Sequence, residues 1–434
     1  MNKVITKNDL LYFVLAIVTF LIWLGEDKSP LMAFIFFPLL FLYFLCKQDI
    51  NKMMGIILFS NMAISVKTGI YKLEYILILV LLGYILIYKV IKEKRITIGQ
   101  VLIPIIIYFL YNVLSLLWTP VLLDGYKGLV GILEGYLVYF IITNSNLKIT
   151  EEDITNYSKV ASFILLTLSL EIFTIYYQNG IDTVIQDKDL IHLGWGFSNL
   201  IAVIHVFLIP IMLMKYVEIR EYKWFIPLDV LAVISLILTL SRGAILGVII
   251  GLLTLIVLRR KEFLKIGIFL GITVIVSLIF LKIFNHDLVN RLFDRLFDEN
   301  GRFELYKFAL ENFLKRPITG HGIKSSKYLI NEFLQRSSTY YHNFILQILA
   351  TLGIIGFTIF LLIVRGWVKI LFTKDSFVNY ALASIIGALT HQLVDVSFDL
   401  HYFGVYFYLI IGISEIYRHY KGDNLIKKYQ WISK

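Results

Sequence analysis

The chain has one cysteine, Cys46, in 434 residues. A single thiol excludes an internal disulfide and a cysteine-based metal centre, and Cys46 is expected to be no more than a small buried hydrophobe. Charge is also scarce, at 17% of residues, while 58% are hydrophobic; soluble domains carry about 25% charged residues. No Walker-type loop, H-E-x-x-H helix or G-x-S-x-G elbow occurs. No small-residue cleavage pattern follows the first apolar run, Leu10 to Leu24, so this run is expected to stay as a span rather than be removed as a signal peptide. No two-half internal repeat is visible.

What fills the chain is a series of apolar runs, each long enough to be read as a transmembrane helix. They fall at about 10–24, 31–46, 53–66, 73–90, 100–118, 127–143, 159–177, 195–214, 224–240, 243–258, 264–283, 342–364, 376–396 and 402–418. The expected fold is an all-α polytopic integral membrane protein with about 12–14 transmembrane helices and one long external loop containing amphipathic helices. It divides into an N-terminal bundle over 1–283, the loop over 284–341, and C-terminal helices with a tail over 342–434. The net charge of +10 would suggest nucleic acid in a soluble protein. Here basic loops explain it, and no nucleic-acid partner is expected. With the N-terminus inside, Lys47 and Lys52, then Lys89, Lys92, Lys94 and Arg95, then Lys215, Arg220 and Lys223, Arg259 to Lys261, Arg365, Lys369 and Lys374, and the Arg418 to Lys428 tail all become cytoplasmic. External loops carry few cations, as the positive-inside rule requires. Both termini are predicted to be cytoplasmic.

The long loop contains LVNRLFDRLFDENGRFELYKFALENFLKRPITGHGIKSS. Leu288, Leu292, Phe293, Leu296 and Phe297 repeat at helical spacing, as do Phe303, Tyr306, Phe308, Phe313 and Leu314. These predict two short amphipathic helices, broken at Gly301 and stopped before Pro317. They either lie on the membrane surface or pack over the outer mouth of the bundle, and the two readings are compatible. Arg291 and Arg295 can pair with Asp294 and Asp298.

Candidate chemistry gathers at the predicted outer ends. Ser241-Arg242-Gly243 interrupts an apolar series. Its arginine either snorkels from a turn or binds an anion, because a guanidinium fork matches phosphate oxygens. Arg302 opens the second loop helix. Gly320 and Gly322, in PITGHGI, permit close backbone approach to a ligand or positive φ; His321 between them is read as a loop histidine. His342 and Asn343 stand where the loop re-enters the membrane. Histidine is the natural base near neutral pH, and Asn343 either caps the span or touches an acceptor. Glu171, Asn199, His391, Asp395 and Asp399 also lie near outer ends, available to orient His342 or hold sugar hydroxyls. Glu134, Asp229 and His205 are read as structural pairs within spans. Asp187 and Asp189 form an external D-x-D, a weak metal signal.

Four stretches, in order, resemble the O-antigen ligase and polymerase superfamily of bacterial membrane glycosyltransferases. GFSNLIAVIHVFLIP is similar to its asparagine-bearing span, matching at Asn199. TLSRGAILGVIIGLL resembles its Ser-Arg-Gly turn. NGRFELYKFALENFLKRPITGHGI resembles its arginine-led external helix, Pro and Gly-x-Gly turn. YYHNFILQILATLGIIGF resembles its His-Asn span. Tyr306 stands where tryptophan is more common. The resemblance covers about Asn199 to Phe357, and the N-terminal half matches only in being a series of spans.

The resemblance implies an undecaprenyl-diphosphate-linked glycan donor, a glycan or lipid-linked acceptor, and inverting transfer to an acceptor hydroxyl at the outer face of the plasma membrane. It implies catalytic roles for His342, Arg242 and Arg302, while Ser241, Asn199, Asn343, Gly320, Gly322, His391 and Asp395 are expected to bind substrate. No metal and no cofactor are expected, since fixed arginines can neutralise a departing diphosphate. Membrane lipids are expected partners, and a chain-length regulator protein is a further one. The expected activity is polymerisation of lipid-linked repeat units. Ligation of finished glycan to lipid A core or protein is the near alternative, and a flippase for lipid-linked oligosaccharide a more distant one. A transporter would place its polar residues near the midplane, often with internal repeats.

Overall fold

A computed structural model describes residues 6–25, 31–64, 73–194, 196–219, 223–259, 271, 301–336, 338–396, 398 and 401–430. The helices are α1 (Lys7–Leu24), α2 (Leu31–Cys46), α3 (Ile50–Ser60), α4 (Leu73–Tyr84), α5 (Leu102–Leu114), α6 (Leu122–Asn144), α7 (Glu151–Asn179) and α8 (Ile181–Gln186). They continue with α9 (Ser198–Met214), α10 (Ile226–Leu238), α11 (Arg242–Leu258), α12 (Arg302–Lys315), α13 (Ser325–Leu334), α14 (Phe344–Leu371), α15 (Ser376–Gln392) and α16 (His401–Tyr420). Among the described residues, five helices are long and apolar enough to cross a membrane, and several shorter ones are as apolar. The chain is an all-α polytopic membrane protein. Every predicted span but one coincides with a helix; the run at 264–283 lies outside the described residues, as do Asp399 and the first loop helix with Arg291, Asp294, Arg295 and Asp298.

The helix starts follow from local chemistry. Thr6 and Thr150 form capping boxes with Asp9 and Asp153 at the heads of α1 and α7, satisfying backbone N–H groups that have no intrahelical partner. Cys46 departs from expectation: it is exposed at the end of α2. The run of apolar residues made burial plausible, but a helix that faces lipid buries only one side.

The chain forms two compact units. The first takes in the described residues within 1–81, 149–298 and 379–388. Its centre is α7, which packs against α1, α9 and α10. Buried polar groups along α7 find partners: Lys159 pairs with Asp9 at 2.8 Å, and Ser169 donates to Ser235 at 2.9 Å. Ser235 also meets His205 Nε2 at 2.9 Å. Asp229 pairs with Lys215 and accepts from the Tyr216 hydroxyl. His205 and Asp229 are therefore structural, as their place within spans implied.

The second unit takes in the described residues within 82–148, 299–378 and 389–434. Here α6 runs along α16. A Cβ on Gly135 would lie 2.7 Å from Gly404 backbone atoms, so small residues let the two backbones meet. α5 packs on α14. At one end of this unit β1 (Arg95–Ile98) pairs antiparallel with β2 (Lys427–Gln430), Arg95 opposite Gln430. This ties the basic 89–95 connection to the basic tail, two segments that the charge pattern assigned to the same side.

A histidine–carboxylate pair at the head of α14

α14 begins where the sequence changes from polar to apolar, and Asn343 is its N-cap. The Asn343 side chain accepts from Leu346 N at 3.1 Å and donates to Leu393 O at 3.0 Å. Both ends of the amide are thus engaged in fixing the start of α14, the capping use of this residue.

His342 precedes the cap in left-handed backbone, φ 54°. This conformation is uncommon outside glycine, and the surroundings impose it. Tyr341 is buried at its back, edge-on to Phe308 of α12, in a core with Leu305, Ala309, Leu329, Ile330 and Ala350. Tyr341 N donates to Gln347, whose amide donates to Ser326 Oγ at 2.8 Å. Three helices, α12, α13 and α14, therefore hold the His342 loop from behind. In front, the Tyr306 hydroxyl of α12 donates to His342 O at 3.2 Å.

The imidazole reaches across to the connection between α15 and α16. Its Nδ1 lies 3.1 Å from Asp395 Oδ1. Asp395 is buried, and its Oδ1 also accepts from Val396 N at 2.8 Å. Burial opposes ionisation of this carboxyl. The hydrogen bond and charge of His342, with further charge from His391 and Arg302, overcome it and hold Asp395 well below the ordinary carboxylate range. An ionised carboxylate only accepts, so Nδ1 carries a hydrogen, and whenever the ring is neutral Nε2 is the nitrogen with the lone pair. Nε2 lies 3.4 Å from Ser338 Oγ, on the side of the ring that remains partly exposed. This is the arrangement of a general base whose tautomer a carboxylate sets.

Arg302 is the first residue of α12, after Gly301 at φ 65°. Its charge acts on both Asp395 and Tyr306. Burial raises the Tyr306 phenol above its ordinary value, Arg302 opposes and Asp395 adds to the rise. His391 is fully buried, with Nδ1 3.2 Å from the Gln392 amide. The structure thus brings together His342, Asn343, Arg302, His391 and Asp395.

Gly320 and Gly322 serve a different purpose. α14 is not continuous: Gly353 adopts φ 66°, ψ −167° and breaks it. The freed carbonyls of Ala350 and Thr351 accept from His321 N at 3.1 Å and Gly322 N at 2.7 Å. The freed amides of Ile354 and Ile355 donate to Pro317 O and Ile318 O at 2.8 and 3.2 Å. The Pro317–Ile323 strand thus closes the break. A Cβ on Gly320 would stand 2.4 Å from Thr351 backbone. Gly320 N donates to Arg316 O, so the amides of 320, 321 and 322 are all engaged by backbone, and this turn is built for close contact rather than as an amide cradle. The expected single span from 342 to 364 is a helix broken at Gly353 and extended to Leu371.

Ser241, Arg242 and Asn199 belong to the first unit. Thr239 to Ser241 alone separate α10 from α11, with Leu240 at φ 56°. Ser241 is buried as the N-cap of α11, and Arg242, half-buried, is its first residue. Asn199 accepts from Lys188 Nζ at 3.0 Å near the start of α9. Asp187 accepts from Asp189 N, capping a short turn; among the described residues no cluster of three metal-ligating side chains occurs.

Sequence reasoning did not reach α13, the Ser338 contact or the Gln347–Ser326 brace, which carry no pattern of their own. Tyr306 is legible as a member of the apolar repeat and by its identity, but the bond its hydroxyl makes to His342 O is not.

The site is thus a histidine–carboxylate pair beside an arginine at one end of a polytopic bundle. Residues 227–361 match a family model described as O-antigen ligase. That stretch holds Arg242, Arg302 and His342. No curated protein matches the chain.

Proposed function

We propose that the protein transfers a glycan from undecaprenyl diphosphate to an acceptor hydroxyl, at the outer face of the bacterial plasma membrane. The supporting observation is the His342–Asp395 pair with Arg302 in electrostatic reach, within or just beyond the matched domain. In this reading the acceptor oxygen attacks the anomeric carbon and its proton passes to His342 Nε2. Asp395 stays ionised and stabilises the imidazolium. The bond from the anomeric carbon to the diphosphate oxygen breaks, and the leaving diphosphate carries the electron pair away. Arg302 binds that diphosphate and meets its growing charge, and Arg242 takes a diphosphate-binding role in this reading on the family resemblance alone. Attack opposite the leaving group inverts the anomeric centre. Holding both substrates in line supplies much of the remaining rate.

The polymerase form, joining lipid-linked repeat units of O-antigen, capsule or exopolysaccharide, is the reading we favour; the ligase form uses the same chemistry with lipid A core or protein as acceptor. Reconstitution with an undecaprenyl-diphosphate glycan tests the reading. The wild type should release undecaprenyl diphosphate with or without chelator, while His342→Ala and Arg242→Ala should not. Equal turnover by both variants would sink the proposal, and loss on chelation would redirect it to a metal site. The glycan-bearing product separates polymerase from ligase.

A further inference from the structure

α12 is apolar on two opposite faces. Leu305, Phe308, Ala309 and Asn312 point inward and are buried against α13 and α14. At about 100° per residue, Phe303, Leu310 and Leu314 fall on the reverse side as one stripe. They are 67%, 47% and 66% exposed, and Ile318, just beyond the helix, is 64% exposed. A helix that only covers the mouth of a bundle needs one apolar face. The second one is a large exposed patch, which in soluble surroundings would be a liability.

The stripe does not end in water. Ile318 O accepts from Ile355 N, so the exposed Ile318 side chain is carried directly beside Ile354 and Ile355 of α14, themselves 51% and 39% exposed. From there the exposed apolar side of α14 continues through Leu361, Leu362 and Val368. In a helix that spans a membrane, this is the side that meets acyl chains. The α12 stripe is therefore continuous with a lipid-facing surface. Lys307, Lys315 and Arg316 stand on the exposed parts of α12 and its end, placed to reach phosphate headgroups while their stems cover apolar surface.

We propose that α12 is seated in the lipid interface: its Phe303–Leu310–Leu314 stripe, with Ile318, docks on the acyl chains of the leaflet at the His342 end of α14. The occupant is bulk phospholipid. The seat sets Arg302 and Tyr306, on the same helix, at headgroup depth. The inference does not use the transfer reaction, so its failure leaves the reading of the site untouched.

The test uses the full chain in phosphatidylethanolamine–phosphatidylglycerol proteoliposomes, with Cys46→Ser as background. Leu310→Cys, Leu314→Cys and, about 100° away from Phe303, Glu304→Cys each carry an environment-sensitive fluorophore. Nitroxide-labelled phospholipid should quench the Leu310 and Leu314 positions several-fold more than the Glu304 position, with blue-shifted emission, and aqueous iodide should show the reverse order. Equal iodide quenching at Leu314 and Glu304 would overturn the proposal. Shielding of Leu310 and Leu314 from both quenchers would overturn it in favour of a second protein surface. Lipid quenching abolished by added polyprenyl phosphate would overturn it in favour of the donor's tail. The labels sit on the exposed side, so folding, checked by size-exclusion elution, should not change.

Discussion

Asp395 is the residue on which the proposed base depends. Its carboxylate does two things to His342: it fixes the ring and it sets the tautomer, so that the neutral imidazole carries its hydrogen on Nδ1. Asp395→Asn can do the first but not reliably the second, since an amide presents either a donor or an acceptor. We predict that it lowers kcat by about 10²–10⁴-fold with little change in donor KM. A change confined to KM would instead make Asp395 a substrate ligand. Because the folded carboxyl is held below its ordinary value, its stabilising contribution is present above about pH 3.9 and is lost only as pH falls through the lower folded value. Tyr306→Phe removes one hydrogen bond to His342 O, worth about 0.5–1.5 kcal/mol. It should lower the midpoint of thermal unfolding slightly and impair turnover less than Asp395→Asn.

At the scale of elements, the break in α14 decides where the site sits. A continuous helix would leave Pro317–Ile323 without its backbone partners and the exposed apolar turn without a seat. Gly353 permits the break: its φ of 66° strains any residue with a side chain, and an added Cβ would lie 2.3 Å from Ile318 O. This positive-φ, extended-ψ region is essentially confined to glycine and costs another residue about 1–3 kcal/mol, before the clash. Gly353→Ala should therefore sharply reduce the yield of monodisperse protein. Gly83→Ala in α4, where a Cβ would meet nothing within 4 Å, should be neutral or stabilising by up to about 1 kcal/mol. Size-exclusion profiles and thermal unfolding of the two variants check the contrast. The loop shows both sides of what sequence patterns carry. α12 was legible from its apolar period, its glycine start and the proline after it. α13 was not, because Lys324–Leu334 has no cap and only a short apolar repeat, and its stability comes from packing Leu329 and Ile330 against α12 and α14.

For the whole molecule, the charge asymmetry predicts a common side for the 89–95 connection and the tail, and the β1–β2 pairing joins those two segments. Cysteines placed at Lys94 and Lys428, in the Cys46→Ser background, should both react with an impermeant maleimide only after the cytoplasmic face is opened. A cysteine at Glu332 should react in intact cells. Labelling of Lys94→Cys and Lys428→Cys from opposite sides would refute the topology.

Hydropathy and the placement of lysine and arginine alone determined that this is a polytopic membrane protein, nearly where each span lies, and which side each connection is expected to face. These properties are sums over many residues against one solvent boundary, so no single contact alters them. Local pattern also marked His342 and Arg302 as candidates. Only the tertiary structure decided that Asp395, 53 positions from His342, is the carboxylate that orients it. Only the structure showed that Asn343 caps, that Gly320 and Gly322 close a broken helix, and that α12 exposes a second apolar face. Each of these depends on which backbone groups a distant segment satisfies, and no periodicity in a single stretch encodes its partner.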